Sequence, residues 1–116
     1  MNIRVQWPLM RDDDGDLEFY TSIQDLLADT EVEDVRNGVY DIFDIAGRRF
    51  FLVVTPGNGP FAKAQLALEP DNSAISDPKN VRHRIERFLK RLGYTQDELT
   101  EIAIEKLIVF CRQGFR

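Results

Sequence analysis

Cysteine occurs once in the 116 residues, at Cys111, and histidine once, at His83. A single thiol leaves no intramolecular disulfide to staple the fold, so a packed core must hold it. Zinc sites of His and Cys take three or four such ligands, and only two are present. A Ser-His-Asp or Cys-His arrangement would have to run through His83. None of Ser22, Ser73 and Ser76 stands in a nucleophile-elbow context. No apolar run exceeds five residues, against about 20 for a membrane-spanning helix. The opening Met1-Asn2-Ile3-Arg4-Val5-Gln6-Trp7-Pro8 lacks the apolar h-region of a secretion signal. The expectation is a cytoplasmic protein without metal or cofactor and without a dedicated catalytic cluster. Carboxylate chemistry is the one enzymatic option left, and 20 acidic residues single out no pair.

Charge is abundant but unevenly spread. Between residues 12 and 44 stand twelve acids: Asp12, Asp13, Asp14, Asp16, Glu18, Asp25, Asp29, Glu31, Glu33, Asp34, Asp41 and Asp44, against one base, Arg36. Between residues 79 and 91 stand six bases, Lys79, Arg82, Arg84, Arg87, Lys90 and Arg91, against Glu86 alone. The formal net charge of −5 conceals this polarity.

With 43% hydrophobic residues, residues 1–116 are expected to form a single domain. Ile3, Val5 and Trp7 alternate with Asn2, Arg4 and Gln6, which predicts a half-buried strand over 2–7. The run from Asp12 to Asp16 reads as a long polar turn, and Leu17, Phe19 and Thr21 as the returning strand. Ser22 is placed to N-cap a short helix carrying Ile23, Leu26 and Leu27, finished by Thr30. Residues 29–38 end in Asn37-Gly38 and read as an acidic loop. Val39–Ile45 and Arg48–Thr55 are rich in β-branched and aromatic residues and predict a central hairpin. The unbroken run Phe50–Val54 points to a strand covered on both faces. After a Pro- and Gly-rich loop, residues 61–69 alternate as a further strand, with Ala62, Ala64, Leu66 and Leu68 inward.

Two helices close the chain. Asp77-Pro78 is an N-cap followed by proline at the first helical position. Val81, Ile85, Phe88, Leu89 and Leu92 make one apolar stripe that stops at Gly93. Thr95 and Glu98 have capping-box spacing, and Leu99, Ile102, Ala103, Leu107 and Phe110 form the last apolar face. A strand over Lys106–Cys111 is the competing reading of its second half. The predicted architecture is α+β: a mainly antiparallel sheet of about five strands, a short N-terminal helix, and the C-terminal helix pair packed on one face.

Several features could carry chemistry. Aligned on Gly15, the acidic run puts Met10 and Thr21 where a calcium-binding EF-hand loop needs carboxylates, so it reads as a solvated turn. Gly57-Asn58-Gly59 lacks the Lys-Ser/Thr pair of a phosphate loop and precedes a strand. His83 falls on the outer face of its helix, and Cys111 in an apolar stretch as an inert thiol. The basic helix can contact phosphates through counterion release, or pair with acids of its own chain. The wide apolar arc of the last helix, with Ile104, Ile108 and Val109, fits either burial on two sides or a homodimer seam.

The expectation that fits best is a non-enzymatic, cytoplasmic protein-binding module. Its contact surface would comprise Asp12, Asp13, Asp14, Asp16, Asp29, Glu31, Glu33 and Asp34. Such a surface suits an immunity or inhibitor-type protein against a basic partner, since complementary potentials speed association and blocking needs no catalytic residue. A nucleic-acid-associated regulator using Lys79, Arg82, Arg84, Arg87, Lys90 and Arg91 is the alternative. A small carboxylate-based enzyme or ligand binder is a third. The chain would act as a monomer or as a homodimer through its C-terminal helix.

Overall fold

The computed structural model describes residues 4–60 and 62–114. Strands β1 (Leu9–Asp13), β2 (Asp16–Tyr20), β3 (Tyr40–Phe43), β4 (Arg49–Thr55) and β5 (Gln65–Pro70) form one antiparallel sheet in the order β2-β1-β3-β4-β5. Helices α1 (Ile23–Ala28) and α2 (Val32–Arg36) connect β2 to β3, and α3 (Pro78–Arg91), α4 (Gln96–Leu99) and α5 (Ile104–Gln113) follow the sheet. The α+β class, the antiparallel sheet of five strands and the C-terminal helices are as the sequence predicts. No helix is long and apolar enough to cross a membrane among the described residues.

Strand alternation divides the core into two. Met10, Leu17 and Phe43 pack with Val81, Ile85 and Leu89 of α3 and with Leu99, Leu107 and Ile108. Leu9, Tyr20, Ile42, Phe50 and Leu68 pack with Leu26 of α1. Neighbours Leu9 and Met10 thus go to opposite faces, and the sheet lies between an α1–α2 layer and an α3–α5 layer.

Local chemistry explains the helix ends. Ser22 accepts from the Asp25 N–H, and Asp77 caps α3 through the Asn80 N–H with Pro78 behind it. The capping box of Thr95 and Glu98 is formed. Gly93, at φ +108°, follows the C-cap Leu92 and supplies the left-handed residue that ends α3.

Several sequence expectations need correction. The first strand is Leu9–Asp13, not 2–7. Asn2 and Ile3 lie outside the described residues, and residues 4–8 are irregular. The Gln6 N–H donates to Asp44 and the Gln6 carbonyl accepts from the Ile45 N–H, so the β3–β4 turn holds this segment in place of a ladder. The expected long turn is tight: Asp12 and Asp13 belong to β1 and Asp16 to β2. Only Asp14 and Gly15 turn, both at positive φ, as a two-residue hairpin favours.

Residues 29–38 contain a helix, α2. Its acids stand in the first turn and Arg36 in the last, in line with the helix dipole. The central strand is not covered on both faces, because Phe51 is 44% exposed. Beyond Phe61, which lies outside the described residues, β5 begins only at Gln65.

The last helix is divided. Arg82 donates to the carbonyls of Leu99 and Thr100, at 2.8 and 3.2 Å, which a continuing helix would have used for its own bonds. The Thr100 hydroxyl turns back to the Gln96 carbonyl. Lys106–Cys111 lies within α5, so the competing strand reading falls.

Candidate functional site

Alternation along β1 separates two adjacent acids. Asp12 points toward α3 and is 6% exposed, whereas Asp13 turns to the α1–α2 face. Register then sets Asp41 of β3 opposite Asp12. Arg84 of α3 meets both, with its Nη1 2.6 Å from Asp12 and 3.3 Å from Asp41. Its Nε donates to Asn80, and the guanidinium lies over the Phe43 ring at 4.7 Å. Arg49 extends the cluster, 3.1 Å from Asp41. Asp12 also accepts from the Gly15 N–H, fastening the hairpin turn.

Arg91 closes the other end. It donates to the Gly15 carbonyl and stands 3.9 Å from Asp16. Between the hairpin turn and α3 remains an open cleft of about 420 Å³, lined by Asp14, Asp41, His83, Arg84, Arg87 and Arg91 among others. Two of the six predicted bases, Arg84 and Arg91, therefore join carboxylates of the front half. Arg82 serves Glu86 and the end of α4. Lys79, His83, Arg87 and Lys90 are exposed, and their side chains make no hydrogen bond or ion pair among the described residues. Of these, only Arg87 and His83 face the cleft.

The opposite face is negative. Asp13, Glu18, Asp25, Asp29, Glu31, Glu33 and Asp34 belong to it, and Arg11 and Arg36 are cations among them. Arg11 lies between the rings of Tyr20 and Tyr40, at 5.3 and 4.6 Å. It donates to the Asp29 carbonyl and the Thr30 hydroxyl. The phenols of Tyr20 and Tyr40 donate to Asp29 and Asp34. Burial first, and then these hydrogen bonds to carboxylates, raise both phenol pKa values. Glu33 pairs with Arg36 on the helix surface. Asp14 stands at the hairpin tip and Glu31 at the start of α2, both exposed.

The structure thus splits the predicted acidic surface three ways. Asp12 is withdrawn into the sheet–α3 contact. Asp14 and Asp16 sit at the hairpin turn beside Arg91. Asp13, Asp29, Glu31, Glu33 and Asp34 share the α1–α2 side. Sequence reasoning missed two organising residues, Arg11 and Asp44. Asp44 is fully buried and accepts from the N–H groups of Gln6, Ala46 and Arg48, with the Arg48 guanidinium 2.8 Å away. An aspartate two to four residues ahead of its backbone donors is a turn signal, present at Asp44-Ile45-Ala46-Gly47-Arg48. Arg11 could be placed only once β1 is set at Leu9–Asp13.

Cys111 is half-buried, and burial pushes its thiol pKa up to about 12. That is the environment of an inert thiol, not a nucleophile. No group of three or more potential metal-ligating side chains occurs among the described residues. No protein-family model, curated protein or solved structure matches the chain.

Proposed function

We propose that this chain is a non-catalytic protein-binding module that docks a basic partner on its α1–α2 face. The single observation carrying the reading is the gathering of Asp13, Glu18, Asp25, Asp29, Glu31, Glu33 and Asp34 on one side of the sheet. The exposed bases of α3 lie on the other. The contact residues are Asp13, Asp29, Glu31, Glu33 and Asp34, with Asp14 and Asp16 at the margin. Asp12 contributes by fixing the hairpin, not by contact. A field of one sign over one face steers an oppositely charged protein and raises its association rate. An immunity or inhibitor role in the cytoplasm is the sharpest form of this reading, because capping a basic active site requires shape and charge alone.

The test is capture of a partner from native lysate by the immobilised chain at low and high salt, repeated with Glu31→Lys/Glu33→Lys. The expected partner is released by salt and lost with the double variant. A partner held equally by both chains at both ionic strengths overturns the reading.

Unpartnered Lys79, His83, Arg87 and Lys90 on α3 support nucleic-acid binding as a second reading. Gel shift with mixed DNA and RNA at low ionic strength discriminates it, since no shift at micromolar protein removes it.

A further inference from the structure

The sheet ends in two unlike edges, β2 and β5. An open edge carries a row of backbone donors and acceptors able to accept another strand. The register tells which groups are free. The Asp71 N–H donates to the Arg49 carbonyl, so the hydrogen-bonded positions of β5 toward β4 are the odd-numbered ones: Gln65 opposite Thr55, Ala67 opposite Val53, and Glu69 opposite Phe51. The N–H and C=O groups of Leu66 and Leu68 therefore point away from the sheet, and no strand flanks β5 on that side among the described residues.

We infer that two copies of this chain join through β5, antiparallel about a twofold axis at Ala67, into one continuous ten-stranded sheet. In that register Leu66 faces Leu68 of the second copy, and each pair exchanges two backbone hydrogen bonds, four in all. Ala67 faces its own twin at the close, non-hydrogen-bonded position, where a small side chain fits. Gln65 lies opposite the second copy's Glu69, amide against carboxylate. Lys63 comes opposite the second copy's Asp71, cation against anion. Asp71 stays ionised, its pKa lowered first by its hydrogen bond to Ser73. Symmetry doubles each pairing. Pro70, which has no N–H to leave unpaired, ends the ladder.

The other edge argues the contrast. Asp13 and Asp16 flank the two-residue turn, so the backbone N–H and C=O groups of Leu17 and Phe19 in β2 face the open edge. A twofold along the full length of β2 sets Glu18 against Glu18, which like-charge repulsion opposes. Only β5 is complementary to itself. This association goes beyond partner docking on the α1–α2 face and does not depend on it.

Sedimentation velocity of the full chain from micromolar to several hundred micromolar tests the inference, together with mild oxidation of Ala67→Cys. Gln65 is exposed, so substitutions there leave the protomer fold intact, and urea midpoints verify this. The wild type is expected to dimerise with rising concentration. Gln65→Lys, facing Glu69, should tighten the dimer about three- to tenfold, and Gln65→Glu should weaken it similarly. Ala67→Cys should give a covalent dimer that the wild type, with only Cys111, does not. A chain that stays monomeric throughout, without crosslinking at residue 67, overturns the inference. So does a dimer indifferent to the charge at residue 65, which would place the contact elsewhere, such as on α5.

Discussion

Arg84 and Asp12 stand 72 positions apart in sequence and 2.6 Å apart in the fold. The carboxylate is nearly buried and the guanidinium about a quarter exposed. The pair joins α3 to the first hairpin, with Asp41 as a second acceptor and the Phe43 ring below. A charge so placed is costly once its partner is removed.

Arg84→Met keeps an apolar stem over Phe43 but strands the Asp12 carboxylate. The expected loss is about 2–3 kcal/mol, below the range for fully buried pairs because Arg84 retains solvent contact. Asp12→Asn/Arg84→Met should recover part of it. Urea denaturation of the four chains checks both statements. A single variant as stable as wild type would mean that water compensates Asp12.

The same pair shows where sequence reading stops. The central β3–β4 hairpin, the caps of α1 and α3, the apolar stripe of α3 and its glycine stop all rest on signals within a few residues of one another, and all were legible. The pairing of Arg84 with Asp12 is set by the parity of β1 and by the rotation of α3, neither of which is local. With the first strand expected at 2–7, Asp12 fell in a solvated turn and was grouped with the acidic surface. The break between α4 and α5 likewise depends on Arg82 meeting carbonyls 17 and 18 residues further along the chain, which the capping box gives no hint of losing. Charge segregation was legible only in outline: seven of the twelve acids between residues 12 and 44 lie on the α1–α2 side, while Asp12 and Asp41 turn to α3 and Asp14 and Asp16 sit at the hairpin turn. Its exceptions, Arg84 and Arg91, required the tertiary fold.

Gly47 offers a backbone test. It adopts φ +82°, and a Cβ there would lie 2.1 Å from the Asp77 carbonyl carbon, at the cap of α3. Gly47→Ala is expected to cost about 3 kcal/mol, from left-handed strain together with overpacking. Gly38 is the control. It too has positive φ, but nothing lies within 4 Å of its Cβ position, so Gly38→Ala should cost only about 1 kcal/mol. Equal losses in thermal or urea unfolding would dispose of the close approach.

Charge reversal on the α1–α2 face should be nearly silent for stability. Glu31 is exposed and bonds to no cation among the described residues, and Glu33 pairs only on the surface. Glu31→Lys/Glu33→Lys is expected to lie within about 1 kcal/mol of wild type, while changing the field that a basic partner meets. Urea unfolding measures this, and a larger loss would make these acids structural.

Alkaline pH should destabilise the fold. Burial raises Cys111 to about 12 from an ordinary value near 9, and it raises Tyr20 and Tyr40 as well. Above pH 9 the unfolded chain releases these protons while the folded chain keeps them. The unfolded state then binds fewer protons, and stability falls with rising pH. Below about pH 8 these groups are protonated in both states and contribute no slope. For the thiol the window runs from about pH 9 to about 12, at up to roughly 1.4 kcal/mol per pH unit. Urea midpoints between pH 7 and 11 should stay level at first and then decline. Cys111→Ala should flatten part of the decline, and the native thiol should react with a disulfide reagent at pH 8 far more slowly than the unfolded one. Rapid labelling of the native chain would show that Cys111 is open to solvent, and would remove burial as the cause of the slope.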